Sequence, residues 1–509
     1  MANATNMNKV VEITLNALSN DKTILVASAI GGATDALIAI GRLAEAGNPA
    51  YTDKLAELEA RHLQIVGELL PHYFQEDITA EVKERFRELA NICQGVSCIR
   101  ELTPRTLDLI MSFGELLSTR ILAAKFTSMG ISCKWIDSRT IIRTKQEAQQ
   151  NVVDLEALNV AAEEAFSNTR TKLHVVPGFI ASDSEGRTTT LGRGGSDYTA
   201  SLLAAAISAR RLEIWTDVCG MMTADPRIVP EAKTIENISY RAALELSHFG
   251  AKVVYPPTIQ PVVSKAIPIM VKNTFDPHGK GTLIEQNPPE SASTVKGISM
   301  EGSGMVGIPG YSSRFFQVLS QQGINIILIT QASSVHTMLV AIEEKDSDLA
   351  KRAVDEFFAY EISLGKLEPL KVEKGYSIIS LVGDDMKFQS GVSGRMFEAL
   401  GNKGITIRAI AQGSSERNVS AVVRSEDCND AVSAIHEEFF SEALQKLNVF
   451  IAGYGNVGKE LINVIAENGE GMNVVGICTT RGELMERSGI ALADIPAAFD
   501  AMENLPRTH

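Results

Sequence analysis

Cysteine is sparse in the 509-residue chain. Six are present (Cys93, Cys98, Cys133, Cys219, Cys428, Cys478), with no Cys-x-x-Cys pair and no Cys/His cluster at zinc spacing. That excludes a disulfide scaffold and the common zinc modules. The six read as buried, reduced thiols of a cytoplasmic protein. Long apolar runs are also missing: a membrane span needs about 18 residues, so no membrane partner is expected. The N-terminus lacks the basic-then-apolar order of a secretory signal. Positive charge is short too, with 48 Lys and Arg against 62 Asp and Glu, a net charge of −14. Nucleic acid or an anionic membrane surface would ask for a basic face. An anionic small substrate stays open if cations are gathered locally.

What is present is ordinary globular material, 45% apolar and 22% charged, long enough for about three or four domains. "NKVVEITLNALS" has helical spacing, "KTILVASAIGG" reads as a buried strand running into glycines, and "ATDALIAIGRLAEAG" is helical. Residues 52–127 read as one long helical stretch. "HVVPGFIAS" and "LEIWTDVCG" then read as strands, "SDYTASLLAAAISAR" and "SYRAALELSHFGAKVV" as helices. This alternation is α/β grammar with a mainly parallel sheet. The Pro/Gly/Ser-rich stretch at 276–294 reads as a domain boundary.

Beyond it the chain repeats itself. "GINIILITQASSVHTMLVAI" at 323–342 aligns without gaps with "GITIRAIAQGSSERNVSAVV" at 404–423, an offset of 81 residues. Each copy comes after an amphipathic helix and reads as helix, strand, polar loop, strand. Two such units predict a duplicated α+β module, packed side by side. A duplication that binds nothing is the plain alternative.

Four stretches carry candidate chemistry. "TTTLGRGGSDYTASLLAAA" at 188–206 is a glycine turn opening a helix. Ser196 or Asp197 can cap that helix, and the N–H groups of Gly194, Gly195 and the first turn suit a phosphate or carboxylate. Arg193 adds a cation; an ordinary capped loop is the alternative. In "EIWTDVCGMMTADPRIVPEAK" a strand ends at Thr216-Asp217, where open α/β sheets bind ligands, and a loop carries Asp225-Pro226-Arg227. A turn residue is the plain alternative for Asp217. Lys252 sits at a helix end before a strand and two prolines, where a solvated lysine is the ordinary case. Glu115 lies in a mainly apolar helix and wants a partner, either a substrate ammonium or a structural cation. Together these residues match the needs of phosphoryl transfer: cations, an orienting carboxylate and tight positioning. Neither a Walker A motif nor the His-Arg-Asp and Asp-Phe-Gly pair is present.

"GRGGSDYTA", "IWTDVCGMMTADPR", "ELSHFGAKVVYPPTI", "SFGE" and the two Gln-[Ala/Gly]-Ser-Ser copies closely resemble aspartate kinase of the amino-acid kinase fold. Their order resembles the bifunctional aspartokinase–homoserine dehydrogenase family over nearly the whole chain. The resemblance implies a mainly parallel sheet between helices at 1–285, a tandem ACT regulatory pair at 295–445 and a Rossmann start at 447–509. It implies ATP-dependent phosphorylation of the aspartate β-carboxylate. Thr34, Glu115, Arg193 and Ser196 would face aspartate, and Asp197 would orient the catalytic groups. Thr216, Asp217, Arg227 and Lys252 would lie along ATP, whose Mg²⁺ has no direct protein ligand. Gln331 and Gln412 would contact a feedback amino acid, threonine first. Homodimers or homotetramers are usual in the family.

Three departures bear on activity. The family opens on a strand carrying Lys-Phe-Gly-Gly-Thr-Ser, and "MANATNMNKV" resembles the segment just after that strand; little kinase activity is expected without it. Cys219 and Met222 stand where Asp and Tyr are usual. Finally, Gly453, Gly455 and Gly458 form a G-x-G-x-x-G turn after a strand and before a helix. Arg481, past the next strand, suits the 2′-phosphate of NADP. The remaining chain has no room for a homoserine site, so dehydrogenase activity is not expected from it. An amino-acid sensor without catalysis is the competing reading; an NADP-dependent oxidoreductase would need a longer C-terminus.

Overall fold

The computed structural model describes residues 1–147, 150–167, 170–248, 253–288, 295–308, 312–331, 338–364, 367–384, 386, 389–412, 418–440, 447–468, 472–479, 482–486, 490, 491 and 495. The chain forms two compact units, 1–436 and 437–509.

The first unit opens with α1 (Ala4–Leu18), β1 (Thr23–Ala27), α2 (Ala33–Glu45), α3 (Ala50–Leu69), α4 (His72–Ile99) and α5 (Pro104–Ser128). Thr103 caps α5, accepting from Thr106 N–H at 3.1 Å, with Pro104 in the first turn. Its middle, Phe113 to Ala124, is buried nearly all round, as expected of a helix inside a layer. α5 packs on α2, α4, β1 and the strands after it.

Next come β2 (Cys133–Trp135), β3 (Arg143–Glu147), β4 (Gln150–Val153), α6 (Leu155–Phe166), β5 (Leu173–Pro177), β6 (Ile180–Asp183), β7 (Thr188–Thr190), α7 (Gly195–Ala206) and β8 (Leu212–Thr216). After them come β9 (Asn237–Ser239), α8 (Tyr240–His248), α9 (Pro256–Val263), β10 (Ile269–Asn273) and β11 (Thr282–Glu285). One sheet runs β1-β5-β2, all parallel; another runs β8-β10-β11-β9, with β10-β11 antiparallel. A third runs β4-β3-β6-β7, and the glycine turn follows β7.

Several expectations change. The strand read as buried is half exposed: Thr23 to Val26 are intermediate, because β1 pairs with β5 on one side and no other described strand on the other. β8 likewise pairs with β10 alone, and α7 packs against both β1 and β8. "HVVPGFIAS" is two strands, broken at Gly178-Phe179. The boundary stretch contains β11, whose Ile284 is buried opposite Ile269. Lys252 lies outside the described residues, and the prolines after it open α9 rather than trail a strand. Of the cysteines, Cys98 and Cys219 are exposed.

The rest of this unit is β12 (Val295–Ile308), α10 (Ser312–Gln321), β13 (Ile326–Gln331), β14 (Met338–Ile342), α11 (Ser347–Phe357) and α12 (Ala359–Ser363). Then come β15 (Lys371–Gly383), α13 (Val392–Asn402), β16 (Ala409–Gln412), β17 (Asn418–Arg424) and α14 (Cys428–Phe440). The two repeats share one sheet, β13-β14-β12-β15-β17-β16, with β12 and β15 antiparallel at its centre. The order is the same read outward from the centre in either direction, as a side-by-side duplication requires.

In the second unit β18 (Leu447–Ala452), α15 (Asn456–Asn468) and β19 (Met472–Thr479) make a parallel strand-turn-helix-strand, with β20 (Gly482–Met485) antiparallel beside β19. Gly453 has φ 110°. A Cβ on Gly458 would stand 2.1 Å from the Gly453 carbonyl oxygen, while one on Gly455 would meet nothing. The three glycines thus serve turn, open approach and close packing. Arg481 lies outside the described residues. Among those residues no helix is long and apolar enough to cross a membrane.

Candidate active site

The site is built where β1 and β5 end. Gly178 N–H donates to Ala27 O at 2.9 Å, which sets the two C-termini side by side. The loop after β1 rests on α5: Ser118 Oγ donates to Ser28 O at 2.8 Å, and Ala29 N–H donates to Glu115 Oε1 at 3.1 Å. Gly114 makes the approach possible, since a Cβ there would lie 2.8 Å from that of Ala29. Glu115 is 3% exposed, and its Oε2 is buried with no hydrogen-bond partner. Burial, the main cause, pushes its pKa up to about 7, against the Ala29 N–H bond. Thr34 comes next in the first turn of α2, half-buried.

The glycine turn packs against the end of β5. α7 begins at Gly195 with Gly194 as N-cap (φ 68°) and no side-chain cap. Ser196 and Asp197 therefore lie inside the first turn, where their side chains are not consumed by capping as their residue types allow. Gly195 N–H is also not free; it donates to Gly192 O at 3.1 Å. A Cβ on Gly178 would be 2.7 Å from Ser196 Oγ, and one on Gly195 would be 2.6 Å from the Phe179 ring. Phe179 itself has φ 67°; its N–H donates to Thr199 Oγ1 at 3.0 Å, and its carbonyl accepts from Leu191 N–H at 2.8 Å. The turn is pinned to the end of β5, with Arg193 exposed above it, 5.7 Å from the Tyr255 ring. Burial raises the Asp197 pKa to about 6. Gly178, Phe179 and Tyr255 were not foreseen, although Pro-Gly in "VVPGF" is a break signal.

Thr216 and Asp217 sit at the end of β8, Thr216 Oγ1 donating to Asp217 Oδ1 at 3.2 Å. Arg227 is 88% exposed at its side chain and forks onto Asp225, with contacts of 3.0 and 2.6 Å. It is an ion pair here rather than a bare cation. Cys219 Sγ accepts from Asn273 Nδ2 at 3.5 Å. Among the described residues no cluster of His, Cys, Asp and Glu could hold a metal.

Gln412 is exposed at the end of β16 and lines a hollow of roughly 160 Å³ with Met386, Gln389, Ser393 and Val419. Gly391 (φ 90°) opens α13 at its edge without a side-chain cap. Gln331 ends β13 in the matching register; its side chain lies outside the described residues.

The amino acid kinase family model matches residues 1–273. The chain belongs to the amino acid kinase family. ACT domains match at 298–358 and 379–439, in the same 81-residue register as the repeat. Within the family the likeness is to aspartokinases. The bifunctional aspartokinase/homoserine dehydrogenase of Haemophilus influenzae is 37% identical over 78% of this chain and 51% of its own length. Lysine-sensitive aspartokinase 3 of Escherichia coli is 31% identical over 85% of the chain and 96% of its own length. The crystal structure of E. coli aspartokinase III with aspartate and ADP superposes with a TM-score of 0.72 at 29% identity, covering 86% and 97% of the two chains. The chain thus spans about half the length of the Haemophilus relative. Its fold is the amino-acid kinase fold with ACT regulatory domains.

Proposed function

We propose that the chain transfers the γ-phosphoryl group of ATP to the β-carboxylate of L-aspartate, giving aspartyl phosphate and ADP. That is the committing step toward lysine, threonine and methionine. One observation carries the substrate choice: Glu115 buries a carboxylate oxygen with no partner at the end of β1. An isolated buried charge is costly unless paired, and the α-ammonium of an amino acid supplies the pair. Arg193 and Ser196, across the pinned turn, then take a substrate carboxylate, and Thr34 borders the same pocket.

The reaction needs no strong base, because a β-carboxylate is already a nucleophile at neutral pH. What the chain must supply is charge and alignment. Arg193, Arg227 and Lys252 supply cations, and Thr216 and Asp217 border the nucleotide. Asp197 orients the reacting groups from the first turn of α7. The open N–H groups of Ser196 and Asp197 at that helix end suit phosphate oxygens. With no protein cluster among the described residues to hold it, Mg²⁺ arrives on the nucleotide phosphates, where it neutralises developing charge.

The feedback ligand is an amino acid, threonine by this reading, held at Gln412 and Gln331. A carboxylate at the uncapped start of α13 and a polar side chain toward Gln412 fit the hollow. The domain limits of 1–285, 295–445 and 447–509, cytoplasmic residence and a homodimer or homotetramer complete the proposal. Gly453, Gly455, Gly458 and Arg481 are read as contacts of NADP.

Aspartyl hydroxamate formed with ATP–Mg²⁺ tests the kinase reading. Calorimetric titration with threonine and with lysine tests the effector. Nucleotide-independent signal, or lysine binding in place of threonine, would sink the respective half.

A further inference from the structure

The loop that carries Arg227 is tied at its base. Met222 and Thr234 form an antiparallel bridge. Thr223 N–H donates to Lys233 O at 2.9 Å, and Ile235 N–H to Met221 O at 2.8 Å. Lys233 N–H in turn donates to Thr223 Oγ1 at 3.0 Å. The hydroxyl then has one proton to give, and its remaining partner is His436 Nε2 at 3.0 Å, 213 residues along the chain. Both side chains are buried, at 8% and 5% exposure. Which of the two donates depends on the imidazole tautomer; in either case one hydrogen bond joins the loop base to α14.

His436 lies on α14, the last helix of the second repeat. The equivalent position in the first repeat, 81 residues earlier, is Asp355 on α11. Asp355 accepts from Leu370 N–H at 2.7 Å and from Lys351 Nζ at 2.8 Å. Neither bond reaches the kinase loop. One copy of the duplicated helix has turned this position toward the kinase loop; the other has kept it at home.

We infer that His436 is a positioning residue for phosphoryl transfer. Through Thr223 it fixes the loop that presents Arg227 to the nucleotide, so the second repeat forms part of the nucleotide site's frame. The inference rests on the reading of Arg227 as a nucleotide contact.

Steady-state kinetics on the full chain tests it. His436→Ala raises the KM for ATP about tenfold, while the KM for aspartate stays within about twofold, because a loosened loop misplaces one substrate and not the other. His436→Gln, whose amide carries an acceptor near the Nε2 position, recovers most of the loss. Thr223→Val, nearly isosteric, costs at least as much as His436→Ala without a large cavity, because it also leaves Lys233 N–H without its hydroxyl acceptor. The double variant is no worse than Thr223→Val alone, since that variant already lacks the bond to His436. Titration with ADP–Mg²⁺ gives the same ranking without turnover. If the parent chain binds ADP and forms no hydroxamate, the kinase reading fails and the titration still decides this one. Equal losses for both substrates, no recovery with glutamine, an additive double variant, or a parent chain that binds no ADP would each overturn the inference.

Discussion

Glu115→Gln separates a site carboxylate from a structural one. Glu115 is buried, without a hydrogen-bond partner at Oε2, and raised from 4.5 to about 7. An acid with a raised folded pKa binds its proton more tightly when folded than when unfolded. Between about 4.5 and 7 the folded state therefore holds more protons, and stability falls as pH rises through that window. The penalty is absent at the acid end and complete above about 7. A rise of that size corresponds to about 3 kcal/mol. Glutamine keeps the Oε1 acceptor for Ala29 N–H and removes the charge, so the variant should be the more stable protein at pH 8 and equal at pH 4.5.

Differential scanning calorimetry of both proteins from pH 4.5 to 8 reads this directly. The transition containing α5 should rise by several degrees in Glu115→Gln at pH 8, at about 2–4 °C per kcal/mol for a domain of this size. Aspartate should reverse the order. Its ammonium pairs with the wild-type carboxylate, so its affinity falls at least about a hundredfold in the variant, the scale of a broken buried pair. Parallel pH profiles, or a variant that keeps wild-type aspartate affinity, would refute the reasoning.

Other perturbations report on other walls of the site. Gly178→Ala places a Cβ against Ser196 and must push α7 away; a loss of about 1–3 kcal/mol and of hydroxamate formation is expected, read by thermal unfolding and the kinase assay. Asp197, raised to about 6, is charged above that pH, so kcat/KM for ATP should rise through pH 6 and Asp197→Asn should remove that limb. Gln412→Ala should weaken threonine binding about tenfold in calorimetry with kinase turnover unchanged. Gly458→Ala, whose Cβ would meet the Gly453 carbonyl, should destabilise the C-terminal unit and leave the transition of the first unit where it was.

Periodicity and glycine placement made most of the architecture legible in advance. The helical stretch read at residues 52–127 became α3, α4 and α5, and the 81-residue offset became two halves of one sheet. What was not legible depends on contacts between distant segments. An apolar run such as "TILVA" looks buried whether it gains one strand neighbour or two, and β1 has one among the described residues. Ser196 and Asp197 look like caps by residue type, yet Gly194 can adopt the left-handed conformation and takes the cap. Arg227 looks like a free cation until Asp225, two residues away, closes on it. Glu115 was legible because a carboxylate in an apolar helix is a local anomaly. Phe179 was not, because its positive φ is imposed by the turn it supports.

The duplication shows how two copies can stay alike at one register and differ at the register where one of them meets the kinase loop. Gln331 and Gln412 occupy the same register, at the outer ends of β13 and β16, so each copy keeps a polar end at its own edge of the sheet. Asp355 and His436 occupy another shared register and have diverged. A carboxylate suits the first copy, where a lysine and a backbone N–H meet it. Against the kinase loop, a carboxylate at the second position would lie buried beside a hydroxyl, with desolvation opposing its charge. A neutral imidazole holds the same hydroxyl without carrying that charge into the contact. Burial, the leading cause, lowers the His436 pKa, which keeps the ring in the form the contact needs. Divergence at this position is thus chemical in origin. His436 joins Asn418, whose Nδ2 donates to Glu245 Oε2 at 2.7 Å, in tying the second repeat to the kinase region.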